Sequence, residues 1–314
     1  MPAHDMPPAE AALDAELVHL LLADQHPDLA DLPILELAQG WDNAVFRLGD
    51  ELVVRLPRRE LSAALVHHEQ KWLPRLAPSL PVPIPVPIRV GQPGLGYPWG
   101  WSVCAWFSGH TPINGHLDDP EGVARSLGGF VAALHQPAPA GAPVNPYRGI
   151  RLRNRTAALI EHVDRLGDSI DAPAVLRCWD ELVATPPWDG PPLWLHGDLH
   201  PANIVVEGNR LAAVIDFGDL CSGDPATDLA IAWMLFEPPT RAVFRGATSH
   251  VDDSTWARAR GWSLVLSVTM LANSADNPPF EELGRRTLAA VLDDGQSTVQ
   301  VAPDEMSERR SPGP

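Results

Sequence analysis

Apolar positions along the chain switch between two periods. Leu13, Leu17, Leu20 and Leu21 share one helical face, and Pro27 should end that helix. Short apolar runs at 34–38, 44–48 and 52–56 follow, broken by Gly40-Trp41-Asp42-Asn43 and Gly49-Asp50, the punctuation of consecutive antiparallel strands. Helical spacing returns over 60–76. Alternate prolines at Pro81, Pro83, Pro85 and Pro87 then enforce an extended connector with few N–H donors, and a strand is expected over 101–107, closed by Ser108-Gly109. Behind an Asp119-Pro120 start, Val123, Leu127, Val131 and Leu134 form a helical stripe, and 156–166 and 174–184 continue the helical pattern. One β-type stretch, 193–217, interrupts it, with a hairpin turn at Glu207-Gly208-Asn209. Helices near 256–275 and 279–292 complete the pattern, before a polar tail from about Asp294 that is expected to be disordered.

The pattern predicts an α+β protein: a small antiparallel-sheet lobe followed by a larger, mainly helical one. The expected divisions are an extension and helix over 1–33, a first lobe over 34–108, a second over 109–293 and a flexible tail over 294–314. A length of 314 residues suits about two lobes, and 45% hydrophobic with 20% charged residues excludes a fully disordered chain. A net charge of -17 would repel nucleic acid and anionic lipid, so neither is expected as a partner. The longest mostly apolar stretch, 262–275, is interrupted by Ser263, Ser267, Thr269, Asn273 and Ser274 and reads as a buried helix, too short to span a bilayer. Cys104, Cys178 and Cys221 lack metal-ligand spacing and no secretory leader is evident, which suits a reducing cytoplasm. Lys71 is the only lysine, so any mechanism that demands one has a single candidate.

The exceptional β-type stretch carries the chemistry. His196-Gly197-Asp198 is followed by Asn203, and Ile215-Asp216-Phe217-Gly218-Asp219 closes the hairpin. Asp198 and Asn203 bracket a tight loop and Asp216 ends the strand that pairs back, so their oxygens can converge on one point. Such hard oxygen ligands suit Mg²⁺, and phosphoryl transfer to a hydroxyl asks of a protein mainly metal ions, charge neutralisation and an oriented nucleophile. Either triplet alone would read as a turn; their joint spacing is the signal. His67-His68, His196 and His200 do not make a zinc site, and Trp233, Trp256, Trp262, Phe236 and Phe280 read as helical core, some of which could line an acceptor cleft.

These motifs resemble the catalytic core of the aminoglycoside/macrolide phosphotransferase superfamily, relatives of the protein kinases. Gly40-Trp41-Asp42-Asn43, Val53-Val54-Arg55-Leu56-Pro57-Arg58 and Gly223-Asp224-Pro225-Ala226-Thr227-Asp228-Leu229 are similar to that family's blocks in order, over about 34–236. The resemblance implies a bilobal protein-kinase-like fold and transfer of the γ-phosphate of ATP or GTP to a hydroxyl of a small molecule, which could be an aminoglycoside or macrolide antibiotic. It implies Asp198 as catalytic base, Asn203 and Asp216 as Mg²⁺ ligands, His196 as the residue that fixes the catalytic loop and Asp228 as a structural acid supporting it. Gly40 and Asn43 would belong to the phosphate-covering loop, and Ala105 C=O and Phe107 N–H to the hinge facing the base. The usual strand lysine is replaced: Arg55 stands in its place with Glu69 as helical partner, to be set against an ordinary surface arginine, and the covering loop lacks G-x-G-x-x-G.

Rival readings remain. Only a dozen residues separate Asp216 from Asp228 and no Ala-Pro-Glu follows, which disfavours a protein kinase. Metabolite kinases acting on sugars, amino alcohols or choline-like molecules share the core. A pseudokinase would be expected to lack one of Asp198, Asn203 and Asp216, and a helical interaction module leaves the hairpin unexplained. Glu237, Asp252, Asp253, Asp276, Glu281 and Glu282 could attract an amine-bearing acceptor or form a solvated face.

Overall fold

The computed structural model describes residues 7–299. Helix α1 (Ala15–Gln25) is capped by Asp14, which accepts the Leu17 N–H. Strands β1 (Ile34–Gln39), β2 (Asn43–Leu48) and β3 (Leu52–Pro57) form a meander, followed by α2 (Glu60–Leu76), β4 (Pro87–Gly91) and β5 (Trp101–Ala105). The sheet is antiparallel in the order β1-β2-β3-β5-β4.

Strand alternation divides this sheet into two chemically different faces. Val54 and Leu56 of β3 and Trp101 and Val103 of β5 pack with Phe46, Leu48 and Val18, Leu21 and Leu22 of α1. The stripe of α1 is therefore Val18, Leu21 and Leu22, while Leu20, expected on the buried face, is exposed. Residues of opposite parity, Arg55, Ser102 and Cys104, lie on the other face, where Arg55 meets Glu69 and Ser102 meets Gln70 of α2. There burial pushes the Cys104 thiol up to about 12.

The remainder is mainly helical: α3 (Pro120–Leu134), α4 (Thr156–Leu166), α5 (Ala172–Val183), α6 (Ala226–Leu229), α7 (Ile231–Leu235), α8 (Pro238–Ala247), α9 (Asp253–Asn273) and α10 (Pro278–Val299). Two small sheets are set into it, β6 (Leu193–Leu195) with β9 (Cys221–Gly223) and β7 (Ile204–Glu207) with β8 (Arg210–Val214). Trp256, Ala259, Trp262, Leu264, Val265, Val268 and Leu271 bury α9 on several sides, as expected of a helix at the centre of a core. The same core takes in Trp72 and Leu73 of α2 and Val82 and Ile84 of the proline connector, with Trp72 edge-on to Trp194 at 4.9 Å. The connector is thus packed, and it runs directly into β4, which its prolines had concealed.

Asp294 does not begin a disordered tail. α10 continues to Val299, and Asp294 accepts the Trp233 Nε1–H at 2.9 Å and pairs with Arg241 at 3.0 Å. The expectation for the rest of the tail lies outside the described residues. Among the described residues no helix is long and apolar enough to cross a membrane.

Candidate active site

The loop after β6 is built around a buried acid. Asp228, on α6, accepts the N–H of His196 at 2.8 Å and of Gly197 at 2.9 Å, one on each carboxylate oxygen, and is met by His135 Nε2 at 3.1 Å. Gly197 has φ of 87°, and a Cβ there would stand 2.2 Å from the Asp219 carbonyl oxygen, so only glycine fits. His196 ties the loop to the second motif: Nδ1 accepts the Asp198 N–H (3.2 Å) while Nε2 lies 2.9 Å from the Ile215 carbonyl. A neutral ring protonated on Nε2 satisfies both contacts.

Asp198 emerges from this frame between two nitrogen donors, Arg148 at 3.0 Å and His200 Nε2 at 3.2 Å. Burial alone would raise its pKa; the His200 contact and the Arg148 guanidinium reverse that and hold the carboxyl well below the usual range. Arg148 comes from the segment between α3 and α4, which β9 and α6 hold in place. Ser222 N–H donates to Pro143 C=O (2.9 Å), Asp224 N–H to Gly149 C=O (2.9 Å), and Gly149 N–H to Thr227 Oγ1 (3.1 Å). In the same segment Asn145 donates to Asp219 at 2.6 Å.

Asn203 donates its side-chain N–H to the Asp198 carbonyl at 2.9 Å, and its own carbonyl accepts the Ile215 N–H at 2.9 Å. The loop, Asn203 and Asp216 are therefore joined by consecutive hydrogen bonds. Asp216 takes a left-handed conformation, φ 61°, with its side chain more than half exposed. Arg55 spans from Glu69 (2.7 Å) to Asp216 (3.3 Å). Arg55 is buried, and although burial opposes its charge, Glu69 and Asp216 outweigh that cost and hold the guanidinium protonated. The surface-arginine alternative is thereby removed. Lys71 instead lies over the Trp72 ring at 4.7 Å.

The loop before β2 is fastened from below. Asp42 accepts from Ser62 at 2.7 Å and from Arg59 at 3.2 Å, and Arg58 donates to the Gly40 carbonyl at 2.8 Å. Asn43 is buried with its Oδ1 unpartnered. A Cβ on Gly40 would meet nothing closer than Asn43 O at 3.4 Å, so the loop itself does not demand glycine there. At the end of β5, Trp106 N–H donates to Glu51 C=O at 2.7 Å, which turns the Ala105 carbonyl away from β3. Phe107 packs against the β7/β8 hairpin through Val205, Ala212 and Ala213.

With this geometry in view, the sequence profile of the phosphotransferase enzyme family matches residues 33–262. The chain belongs to this family. It is similar in fold to wild-type aminoglycoside 2'-phosphotransferase-IIIa in its GDP complex, at 20% identity over 90% of this chain and 100% of that one, TM-score 0.68. It is also similar to macrolide 2'-phosphotransferase MphH from Brachybacterium faecium, at 24% identity over 88% of this chain and 97% of that one, TM-score 0.58. A further similar structure is the GDP and kanamycin complex of APH(2")-IIIa, at 20% identity over 90% of this chain and 99% of that one, TM-score 0.66. No curated protein matches the chain in sequence.

In this phosphotransferase no group of three or more His, Cys, Asp and Glu side chains among the described residues could hold a metal alone. Asn203 and the exposed carboxylate of Asp216 instead offer two hard oxygens, the donor set Mg²⁺ takes when water and phosphate fill most of its shell. Of the aromatic set, Trp233, Trp256, Trp262 and Phe236 are core, whereas Phe280 sits edge-on to His200 at 5.4 Å. Three of the acids considered for the acceptor cleft have partners of their own. Asp253 pairs with Arg245, Glu281 with Arg285 at 2.7 Å, and Asp252 caps α9 at Thr255 N–H (2.7 Å).

Arg148, Asn145 and His135 were not legible as site residues. Arg148 and Asn145 lie in a segment with no period, and His135 follows α3 as an unremarkable C-cap.

Proposed function

We propose that this phosphotransferase moves the γ-phosphoryl group of ATP or GTP to a hydroxyl of a small molecule at the Asp198 carboxylate. The observation that carries the reading is the single hydrogen-bonded path from Asp198 through Asn203 and Ile215 to Asp216 and thence to Arg55. That path links the loop carrying Asp198 to Asn203, Asp216 and the buried Arg55, which supports this reading.

Asp198 receives the acceptor hydroxyl and takes its proton as the oxygen bonds to the γ-phosphorus, while the bond to the leaving nucleoside diphosphate breaks. In a loose transition state such a carboxylate orients the hydroxyl more than it deprotonates it in advance, which suits a group whose proton affinity is low. Arg55, fixed by Glu69, supplies positive charge beside Asp216 on the phosphate side. Asn203 and Asp216 would hold Mg²⁺, which supplies charge neutralisation for the phosphates when bound. Gly40 and Asn43 border the phosphates, and Ala105 and Phe107 the base. His196 and Asp228 keep the loop in shape.

For the acceptor we propose a hydroxylated molecule carrying few positive charges. Asp253 and Glu281 are paired with arginines, and Arg148 stands directly at Asp198, so the acidic side chains near the site attract a cation less than the net charge suggests. That chemistry suits a macrolide or a metabolite alcohol better than a polycation; the solved relatives include aminoglycoside and macrolide enzymes. The test is a transfer screen of purified protein with ATP·Mg²⁺ and GTP·Mg²⁺ against macrolides, aminoglycosides, sugars and amino alcohols, read by product mass. A phosphorylated product supports the reading, and no product across these classes with intact nucleotide binding counts against it.

A further inference from the structure

The chain carries 40 acidic residues against 23 basic ones, yet no acid falls between Glu121 and Glu161, and Arg148, Arg151, Arg153 and Arg155 crowd into that stretch. It is the segment that delivers Arg148 to Asp198 at 3.0 Å. Arg151 and Arg153 are exposed, and Arg151 lines a separate small cavity beside Trp188 and Asp224. Arg155 differs from both. It is half-buried, its Nε has no hydrogen-bond partner, and no carboxylate pairs with it among the described residues.

A cation partly withdrawn from water without a counter-ion is costly. Burial, and after it the Arg148 charge, hold the Arg155 guanidinium below its usual pKa range, yet arginine stays protonated in a protein. Two cations therefore lie close together, and only Arg148 has an acid. The Tyr147 ring, 5.9 Å from the Arg155 guanidinium carbon, offers a weak hold, because Tyr147 is itself 62% exposed. Arg148 spends one terminal nitrogen on Asp198 and leaves its Nε without a partner. Charge retained beside a reacting acid, with no acid of the chain to balance it, points to a counter-ion that arrives with the ligand.

We propose that Arg155, with Tyr147 beside it, is an anion subsite for the acceptor, and that the acceptor is a small alcohol bearing a carboxylate or a phosphate ester. The hydroxyl goes to Asp198 and the anionic group to Arg155, whose planar fork can take either group through two N–H donors. Arg148 links the two ends: it pairs with Asp198, and its chain neighbour Tyr147 packs against Arg155. The pairing of Asp198 fits the same chemistry. A bare carboxylate would repel an anionic acceptor, whereas Asp198 meets Arg148 on one oxygen and His200 on the other. The inference rests on Asp198 as the acid that receives the acceptor hydroxyl, and among acceptors compatible with that role it selects acidic metabolite alcohols over macrolides and polycations.

The test loads full-length protein with a non-hydrolysable ATP or GTP analogue and Mg²⁺, so that anions cannot enter the nucleotide's own phosphate subsites. It then titrates gluconate, glucose 6-phosphate, glucose and glucosamine by saturation-transfer NMR. At least one anion should bind with a Kd on the order of 1 mM, about tenfold or more tighter than glucose and glucosamine, and the tighter of the two names the anionic group. Arg155→Ala should weaken that anion by roughly 10- to 100-fold, as expected on losing hydrogen bonds to a charged group, with nucleotide affinity unchanged. Because Arg155 has no counter-ion, its removal should not lower the melting temperature, which a merely structural arginine would do; Arg155→Gln takes its place should the alanine variant not fold. Arg155→Lys should recover part of the affinity, and Arg153→Ala, the same loss of charge at an exposed position, should change nothing. Anions bound no better than glucose, full anion affinity in Arg155→Ala, or an equal loss in Arg153→Ala would overturn the proposal. Transfer with ATP·Mg²⁺ or GTP·Mg²⁺ to the same four compounds separates the two claims: anion binding through Arg155 without transfer counts against Asp198 and leaves the subsite standing, whereas transfer to glucose in preference to both anions keeps Asp198 and removes the subsite.

Discussion

Arg148 donates to Asp198 across 3.0 Å, from a segment that the sheet of β6 and β9 and the helix α6 hold rigid. The acid that receives the acceptor is thus paired before any acceptor arrives, and Arg148 is a positioning residue that sets its charge and aim. Arg148→Ala should lower kcat by roughly 10- to 100-fold, less than the ~10²–10⁴-fold of losing an acid–base group outright, with nucleotide KM little changed. The pH profile separates this from mere damage. Burial raises the Asp198 pKa and His200, Arg148 and His196 lower it, so removing Arg148 should move the acid limb of kcat upward in pH. A variant with wild-type kcat and an unmoved acid limb would dismiss Arg148 from the site.

Arg55→Ala leaves Glu69 buried without its partner and Asp216 without its cation. Breaking a buried pair costs about 3–5 kcal/mol, so a marked fall in melting temperature should accompany a raised nucleotide KM. Arg55→Lys should recover part of both, since it keeps the charge but not the fork that reaches Glu69 and Asp216 together. Thermal denaturation of the two variants beside wild type checks the order.

Asp216 combines a ligand's role with a left-handed backbone, φ 61°. Both Asp216→Gly and Asp216→Ala should lose productive Mg²⁺-nucleotide binding. They should differ in stability, because glycine accepts this conformation and alanine does not, by roughly 1 kcal/mol in favour of glycine. Equal stability would mean that the backbone relaxes when the carboxylate is removed.

Asp219 is pushed upward by burial and then by the Asp198 charge. A carboxyl whose folded pKa is raised costs stability once it ionises, above that folded pKa, and costs nothing below its unfolded value near ~3.9. Asp219→Asn keeps an acceptor for Asn145 and removes the charge. It should raise the melting temperature at neutral pH, with the gain fading as pH falls towards that unfolded value.

The parts legible in the sequence were those governed by local period and spacing. The runs at β1 to β3 and the span of α2 follow from alternation, helical spacing and turn residues. His196, Asp198, Asn203 and Asp216 follow from a motif confined to one hairpin. What failed to show was long-range. β4 is masked by prolines at its entry, β9 has three residues paired to a strand far upstream, and α6 to α8 are too short for a period to register. Arg148 reaches Asp198 across fifty positions and His135 reaches Asp228 across ninety-three, by contacts that only the packed core creates. For the acids of the last helices composition reports charge without reporting which arginine pairs with it, as Arg245 does with Asp253 and Arg285 with Glu281.

The central claim is that Asp198 acts on the acceptor and not on the nucleotide. It is tested most directly by Asp198→Asn, compared with wild type for single-turnover transfer to any acceptor found and for ATP·Mg²⁺ or GTP·Mg²⁺ affinity by calorimetry. The account expects transfer to fall by about 10²–10⁴-fold while the nucleotide Kd changes little. Near-normal transfer, or loss of transfer only in proportion to lost nucleotide binding, would contradict it.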